Sequence, residues 1–386
     1  MLKSRVIKKS LAMIFILGLS LWPLGCTQVN PSEEIFIGVA WPFASLDDLF
    51  AEGLELAVQE INEQGGVQGR KLSLVKADDE AELEKGLAIA QAFADNAGIQ
   101  AVIGHRNSFI SIPAASIYDQ AGLVMLSPAS TSPDLTAHGY IHVFRNIPSD
   151  QEIARQLAIY LAEQGHERMV IYYTDDSYGN GLANAFEDYA RAQGITIVDR
   201  FNYYGNLKDL ERLYDKWQAF GMDGIFIAKT ATGGGTEFLV DAKSVGIEVP
   251  LIAGNSWDAL SLTEDIENIG MTAEGLLVGS FFNPQRPDSR TQDFVEAFRR
   301  EYGQPPTSYA AAGYDAVILL AEALEKSDLT HPATLAQGLR DLGPWEGVMG
   351  MHRFDGRGDD IGDLVVLKKM KDGRFEYLGH WGGADG

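Results

Sequence analysis

Short apolar runs suited to buried strands alternate with segments of helical periodicity along most of this chain. That alternation limits the fold more than any other feature. Ile35-Phe36-Ile37-Gly38-Val39-Ala40 has no polar residue, as expected of a parallel strand covered on both faces. Leu46, Leu49, Phe50, Leu54, Ala57, Val58 and Ile61 then recur at helical spacing, and Gly65-Gly66 stops that helix. Strands are predicted at 72–75, 101–104 and 123–126, with helices at 80–97 and 110–119 between them. After Pro148 the pattern resumes: helices at 151–164, 181–193, 207–220 and 236–245 separate strands at 169–173, 196–200, 224–227 and 250–253. Helices are predicted at 291–302, 308–326 and 332–342, and Asp372-Gly373 marks a closing β-hairpin. The expectation is an α/β protein of two doubly wound, Rossmann-like lobes with right-handed connections and a hinge. A chain of 386 residues is long enough for both.

The first 26 residues read as an address. Residues 1–9 hold four basic side chains, and no charge follows from Ser10 to Ser32. The apolar stretch Leu11–Leu21 leads to Leu24-Gly25-Cys26, as in a secretory signal. The ending resembles a bacterial lipoprotein signal. That resemblance implies a diacylglyceryl thioether on Cys26, cleavage just before it, and a lipid-anchored protein in the periplasm or at the cell surface. Pro23 departs from that pattern, which has an aliphatic residue there. Residues 27–34 read as a tether.

No catalytic constellation emerges, so binding is expected rather than catalysis, with no cofactor and no metal. Gly233-Gly234-Gly235 has no lysine in register for a phosphate loop. Gly254-Asn255-Ser256-Trp257-Asp258 begins like a nucleophile elbow but ends on Asp258 where a small residue is required. His138 and His142 lack a carboxylate that would complete a zinc motif. The net charge of −23 opposes contact with nucleic acid, and the single cysteine excludes an internal disulfide.

Three predicted strand ends are rich in small hydroxyl residues, where open α/β sheets bind ligands. They are Gly104-His105-Arg106-Asn107-Ser108, Ser127-Pro128-Ala129-Ser130-Thr131-Ser132-Pro133 and Asp175-Asp176-Ser177-Tyr178-Gly179. Ser108 is expected as a helix N-cap, with its hydroxyl and the following N–H groups suited to a carboxylate.

With these residues the chain resembles the leucine/isoleucine/valine-binding proteins of ABC transporters, which have the type I periplasmic binding-protein fold. The matches run in order: Ile61-Asn62, Gly65–Leu72, Gly104-His105 with Ser108, Ser127–Thr131 with Leu135-Thr136, Tyr178–Gly181, Ala273–Val278, and Tyr314-Asp315-Ala316. The resemblance implies that Ser108 donates to a ligand carboxylate and that the Ala129 carbonyl accepts from the amine. It further implies that Thr131 uses its hydroxyl and N–H, beside Ser130, and that Tyr178 closes from the second lobe. It implies lobe 1 at 35–147 plus 281–354, lobe 2 at 148–280 plus 355–386, and a hinge closure that a permease in the inner membrane recognises. A monomer is expected.

Two departures qualify the ligand. Amino-acid binders of the family place an acidic residue after the strand matching 251–253; here Asn255, Ser256 or Asp258 stands near that place. An ammonium buried without a counter-charge is costly. Trp41 and Phe43 replace a small, glycine-containing stretch, and with Tyr178 and Trp257 they suggest an aromatic pocket. The expected ligand is a branched-chain, neutral or aromatic amino acid. The alternatives are a sensor of the same fold acting on a signalling partner, or a binder of an aromatic acid or amide.

Overall fold

Strand runs without polar residues face two cores at once, and the structure shows why. The computed structural model describes residues 34–46, 48–258, 274–328 and 333–378. The signal-like segment, Cys26 and nearly all of the tether lie outside the described residues. In β1 (Glu34–Trp41), Ile35, Ile37, Val39 and Trp41 enter one core while Phe36 and Ala40 enter another. In β6 (Arg168–Tyr173), Met169 and Ile171 face one core, and Val170 and Tyr172 the opposite one. This two-sided burial selects a parallel sheet with helices on both faces.

The first sheet runs β2-β1-β3-β4-β5, all parallel, with β2 at Lys71–Asp78, β3 at Ile99–Gly104, β4 at Val124–Ser127 and β5 at Val143–Arg145. Its helices include α1 (Phe50–Glu63), α2 (Leu83–Ala94), α3 (Ser108–Ala121) and the short α4 (Asp134–Ala137). Next in the chain come α5 (Asp150–Glu163), α6 (Ser177–Ala192), α7 (Leu207–Ala219) and α8 (Thr236–Ser244). They accompany a seven-stranded sheet ordered β14-β13-β10-β9-β8-β6-β7. Its members are β7 (Thr196–Phe201), β8 (Gly224–Ala228), β9 (Leu251–Ala253), β10 (Leu277–Ser280), β13 (Val366–Lys371) and β14 (Arg374–Tyr377). Here β7-β6-β8-β9-β10 is parallel, and the terminal hairpin adds two antiparallel strands. Asp372 (φ 51) and Gly373 (φ 72) make the left-handed turn that such a hairpin needs. The chain returns to the first core through α9 (Ser289–Tyr302), α10 (Ser308–Glu325) and α11 (Ala333–Asp341). The short pair β11 (Trp345–Glu346) and β12 (Met351–His352) follows.

Three expectations need correction. Glu34, read as tether, already pairs with Lys71 in the first sheet. β5, β10, β11 and β12 were not anticipated, being two to four residues long and too short to show a period. Leu364 still packs in the first core and Val365 in the second, so the last passage between lobes falls later than 354/355. No helix among the described residues is long and apolar enough to cross a membrane.

Candidate functional site

A pocket forms where the carboxyl ends of β3 and β4 meet those of β6, β8 and β9. It is lined by Arg106, Asn107, Ser108, Phe109 and Ala129 from the first lobe and Asp176, Tyr178, Thr230, Asn255 and Ser256 from the second. Tyr309 of α10 completes it, and the space, mouth included, is about 390 Å³.

The first-lobe wall stands on a buried polar network. Gly104 has φ 138 and passes so close to β1 that a Cβ would lie 2.3 Å from the Ala40 carbonyl. Only glycine permits both, and the next residue, His105, turns inward. Its Nδ1 is 2.8 Å from Asp79 Oδ2 and its Nε2 3.2 Å from the Tyr118 hydroxyl, all buried. The His105 carbonyl accepts from Ser111 Oγ (3.0 Å) and Ser130 Oγ (3.3 Å). Ser130 is therefore a brace rather than a wall: it also touches Ser111 Oγ at 2.5 Å and donates its N–H to Ser127 Oγ.

Ser108 is the first residue of α3, and Asn107 holds the N-cap position expected for it. The Ser108 hydroxyl accepts from Ser132 N–H at 3.4 Å, tying the two first-lobe loops together. Arg145, fully buried, holds the second loop by donating to the carbonyls of Ser130 (3.0 Å) and Ser132 (2.8 Å) and pairing with Asp359. Sequence reasoning passed over Arg145; its signal was a lone cation inside an apolar strand, Val143-Phe144-Arg145.

Asp150 was also missed. It opens α5, and its N–H donates to the Thr131 carbonyl at 2.8 Å. Its side chain is fully buried, and neither carboxylate oxygen has a hydrogen-bond partner among the described residues. Burial pushes its pKa up to about 7; the Thr131 hydroxyl and Arg145 oppose the rise, and Asp176 adds to it. The Thr131 and Ser132 hydroxyls are likewise buried without a well-formed hydrogen bond among the described residues, the Thr131 hydroxyl lying beside the Asp150 carboxylate.

From the second lobe, Tyr178 donates to or accepts from Ser256 Oγ at 2.9 Å, and its hydroxyl is held well above its ordinary pKa by burial and by Asp150. Asp176 caps α6 by accepting from Gly179 N–H at 2.7 Å. Asn255, Ser256 and Trp257 form a single 3-10 turn.

The aromatic pocket expected from Trp41, Phe43, Tyr178 and Trp257 is not assembled. Trp41 is core, stacked on Phe50 with centroids 3.7 Å apart. Phe43 sits on a separate surface groove, with Lys76 over its ring. Trp257 is buried in the second lobe and donates Nε1–H to the Lys229 carbonyl at 2.7 Å. Only Tyr178 reaches the pocket, joined there by Phe109 and Tyr309.

Asp258 is likewise withdrawn. Its carboxylate pairs with buried Lys368, accepts from Ser280, and accepts from Ser308 Oγ at 2.5 Å. A carboxylate so occupied is not free for a ligand. His138 and His142 do not converge either, since His142 Nδ1 bonds Asp119 at 3.0 Å and His138 packs on Tyr140. Among the described residues no cluster of three or more side chains is suited to a metal.

The chain matches the model of the periplasmic binding protein family over residues 34–368, and it belongs to that family. The Leu/Ile/Val-binding protein of Escherichia coli (strain K12) is 30% identical over 360 residues, spanning 92% of this chain and 94% of the relative. A crystal structure of an ABC transporter substrate-binding protein from Desulfitobacterium hafniense in complex with Leu is 96% identical. It covers 89% of this chain and 100% of that one, with TM-score 0.84. A leucine-binding protein from Thermotoga maritima is 25% identical over 90% of this chain and 98% of that one, with TM-score 0.79.

Proposed function

We propose that this member of the periplasmic binding protein family is the extracytoplasmic substrate-binding protein of an ABC importer, and that it holds an α-amino acid between its lobes. The observation that carries this reading is a buried Asp150 carboxylate that makes no well-formed hydrogen bond among the described residues, with the Thr131 hydroxyl beside it, at the edge of the Ser108 loop. Ser108 and Thr131 donate to the ligand carboxylate, and the α3 N-terminus adds its dipole. The Ala129 carbonyl and Asp150 take the ammonium. Asp150 supplies the counter-charge that Asp258 has given to Lys368, and so removes the objection to a buried amine. Tyr178 and Ser256 cover the ligand from the second lobe. A carboxylate and an amine bound by both lobes favour the closed state, and the closed surface is what a permease reads. The ligand is bound and released unchanged. The reading includes lipid anchoring through Cys26, a periplasmic or cell-surface location, a monomer, and lobes divided near 147/148 and 280/281.

The D. hafniense complex supports leucine as the first ligand to test. Protein beginning at Thr27 is unfolded and refolded to strip any carried ligand, then titrated with leucine and with 4-methylpentanoate, which lacks the amine. Leucine is expected to bind, 4-methylpentanoate to bind at least ten-fold more weakly, and Ser108→Ala or Thr131→Ala to cost about ten-fold each. Equal binding of the two would remove the amine from the reading. That outcome would favour the aromatic acid or amide alternative, for which the neutral Asn255 in the second-lobe turn is the supporting feature.

A further inference from the structure

Part of the pocket lining is unusually polar for an aliphatic ligand. Arg106 lines it, with its guanidinium 5.0 Å over the face of Tyr309. Its Nε lies 3.6 Å from Asp48 Oδ2, too long for a hydrogen bond, and both atoms are buried without a partner among the described residues. A guanidinium has five N–H donors, so this one is held by stacking and charge with donors to spare. Asn255 enters the same place from the other lobe. It is 2% exposed, its amide faces the Tyr309 hydroxyl, and its Oδ1 has no partner among the described residues. Tyr309 therefore has a guanidinium over its ring and the Asn255 amide N–H group at its hydroxyl, which leaves Asn255 Oδ1 for another donor. An aliphatic side chain beside Asn255 would leave its Oδ1 unsatisfied, and a buried unpaired acceptor is costly.

We propose that Arg106 and Asn255 form a side-chain subsite that reads a carboxamide, so that the protein takes glutamine-type amino acids at least as well as leucine. The ligand amide oxygen accepts from Arg106, and the amide N–H donates to Asn255 Oδ1. This rests on the amino-acid reading above, in which Ser108 and Thr131 take the α-carboxylate and the Ala129 carbonyl and Asp150 the amine. A cationic side chain is rejected by Arg106, and a carboxylate satisfies Arg106 but not Asn255.

The test is calorimetric titration of refolded protein beginning at Thr27 with L-leucine, L-glutamine and L-glutamate, repeated on Arg106→Met and Asn255→Leu. Glutamine is expected to bind as tightly as leucine or more so. In each variant the glutamine-to-leucine affinity ratio should fall by ten-fold or more. The two substitutions lie on different lobes, so if Arg106→Met fails to fold, Asn255→Leu still decides the matter. Leucine binding without glutamine binding, or an unchanged ratio in both variants, overturns the subsite and leaves the amino-acid reading standing. Glutamate binding more tightly than glutamine overturns the amide in favour of a simple charge site. If none of the three binds, the amino-acid reading falls and the subsite with it.

Discussion

Replacing Asp150 by asparagine should make the empty protein more stable at alkaline pH and the ligand bind less well there. The carboxyl has an ordinary pKa of 3.8 and is raised to about 7 by burial. A group that binds its proton more tightly when folded makes stability fall as pH rises, here between about 4 and 7, and level off above. Three units at 1.36 kcal/mol each set the scale at about 4 kcal/mol. Urea unfolding of ligand-free wild type and Asp150→Asn should coincide near pH 4. They should then separate in favour of the variant by up to about 4 kcal/mol at pH 8. Taking the difference removes other carboxyls that burial also raises, such as the partly buried Asp48. Ligand inverts the relation, because an ammonium needs the ionised carboxylate. Wild-type affinity should climb with pH toward about ten-fold per unit below 7, with about one proton released on binding, while Asp150→Asn shows neither. If the two stability curves run parallel across this range, or if the variant keeps the pH slope of binding, Asp150 is not the unpaired group the structure makes it.

Two further expectations concern buried charges away from the pocket. Lys368→Met leaves Asp258 with only Ser280 and Ser308, so it should lower unfolding stability by about 3–5 kcal/mol, and Lys368→Met with Asp258→Leu should recover most of it by urea titration. His352 bridges Asp360 (Nδ1, 2.5 Å) and Asp315 (Nε2, 3.1 Å); burial opposes its protonation, but the two carboxylates carry its pKa to about 10. Its raised folded pKa gives stability that is full below about 6.5 and lost as pH climbs toward 10. His352→Gln should flatten that alkaline decline in thermal melts, and an unchanged decline would mean the imidazolium contributes nothing there.

The α/β class and the two lobes were legible because two-sided burial leaves an unmistakable mark on β1 and β6: neither can carry a polar residue where both faces are covered. The hydroxyl-rich loops after β3, β4 and β6 were legible for a related reason, since small polar residues at strand ends have little else to do. The second-lobe turn was not. Trp257 and Asp258 look like ligand groups in sequence, but both are consumed by distant partners, Lys229 and Lys368. No local spacing reveals partners 28 and 110 residues away. Trp41 misled in the same way, since its stacking on Phe50 depends on how α1 lies over the sheet. Asp150 and Arg106 escaped notice because an acidic residue at a helix start and an arginine in a loop are ordinary surface features until burial is known.

What marks the pocket is not its size. A groove lined by Arg155, Arg353 and Ile361 measures about 1930 Å³, its open mouth included, against 390 Å³ for the pocket on the same basis. It is the placement of unsatisfied groups that separates them. Folded proteins pair nearly all buried polar atoms, because each unpaired one costs about 1–3 kcal/mol. Among the described residues, Arg106, Asn107, Thr131, Ser132, Asp150 and Asn255 all carry such atoms in or beside this pocket. The residues directly behind them are fully paired: His105 with Asp79 and Tyr118, Ser130 with Ser111, and Arg145 with four partners. A rigid, satisfied layer thus holds an unsatisfied one in place. In the function proposed above, a ligand that completes the inner layer would recover those costs in the closed arrangement, where both lobes supply the groups, and gain much less when they part. That difference is the free energy available to shift the lobes, and it depends on partners the ligand alone can provide.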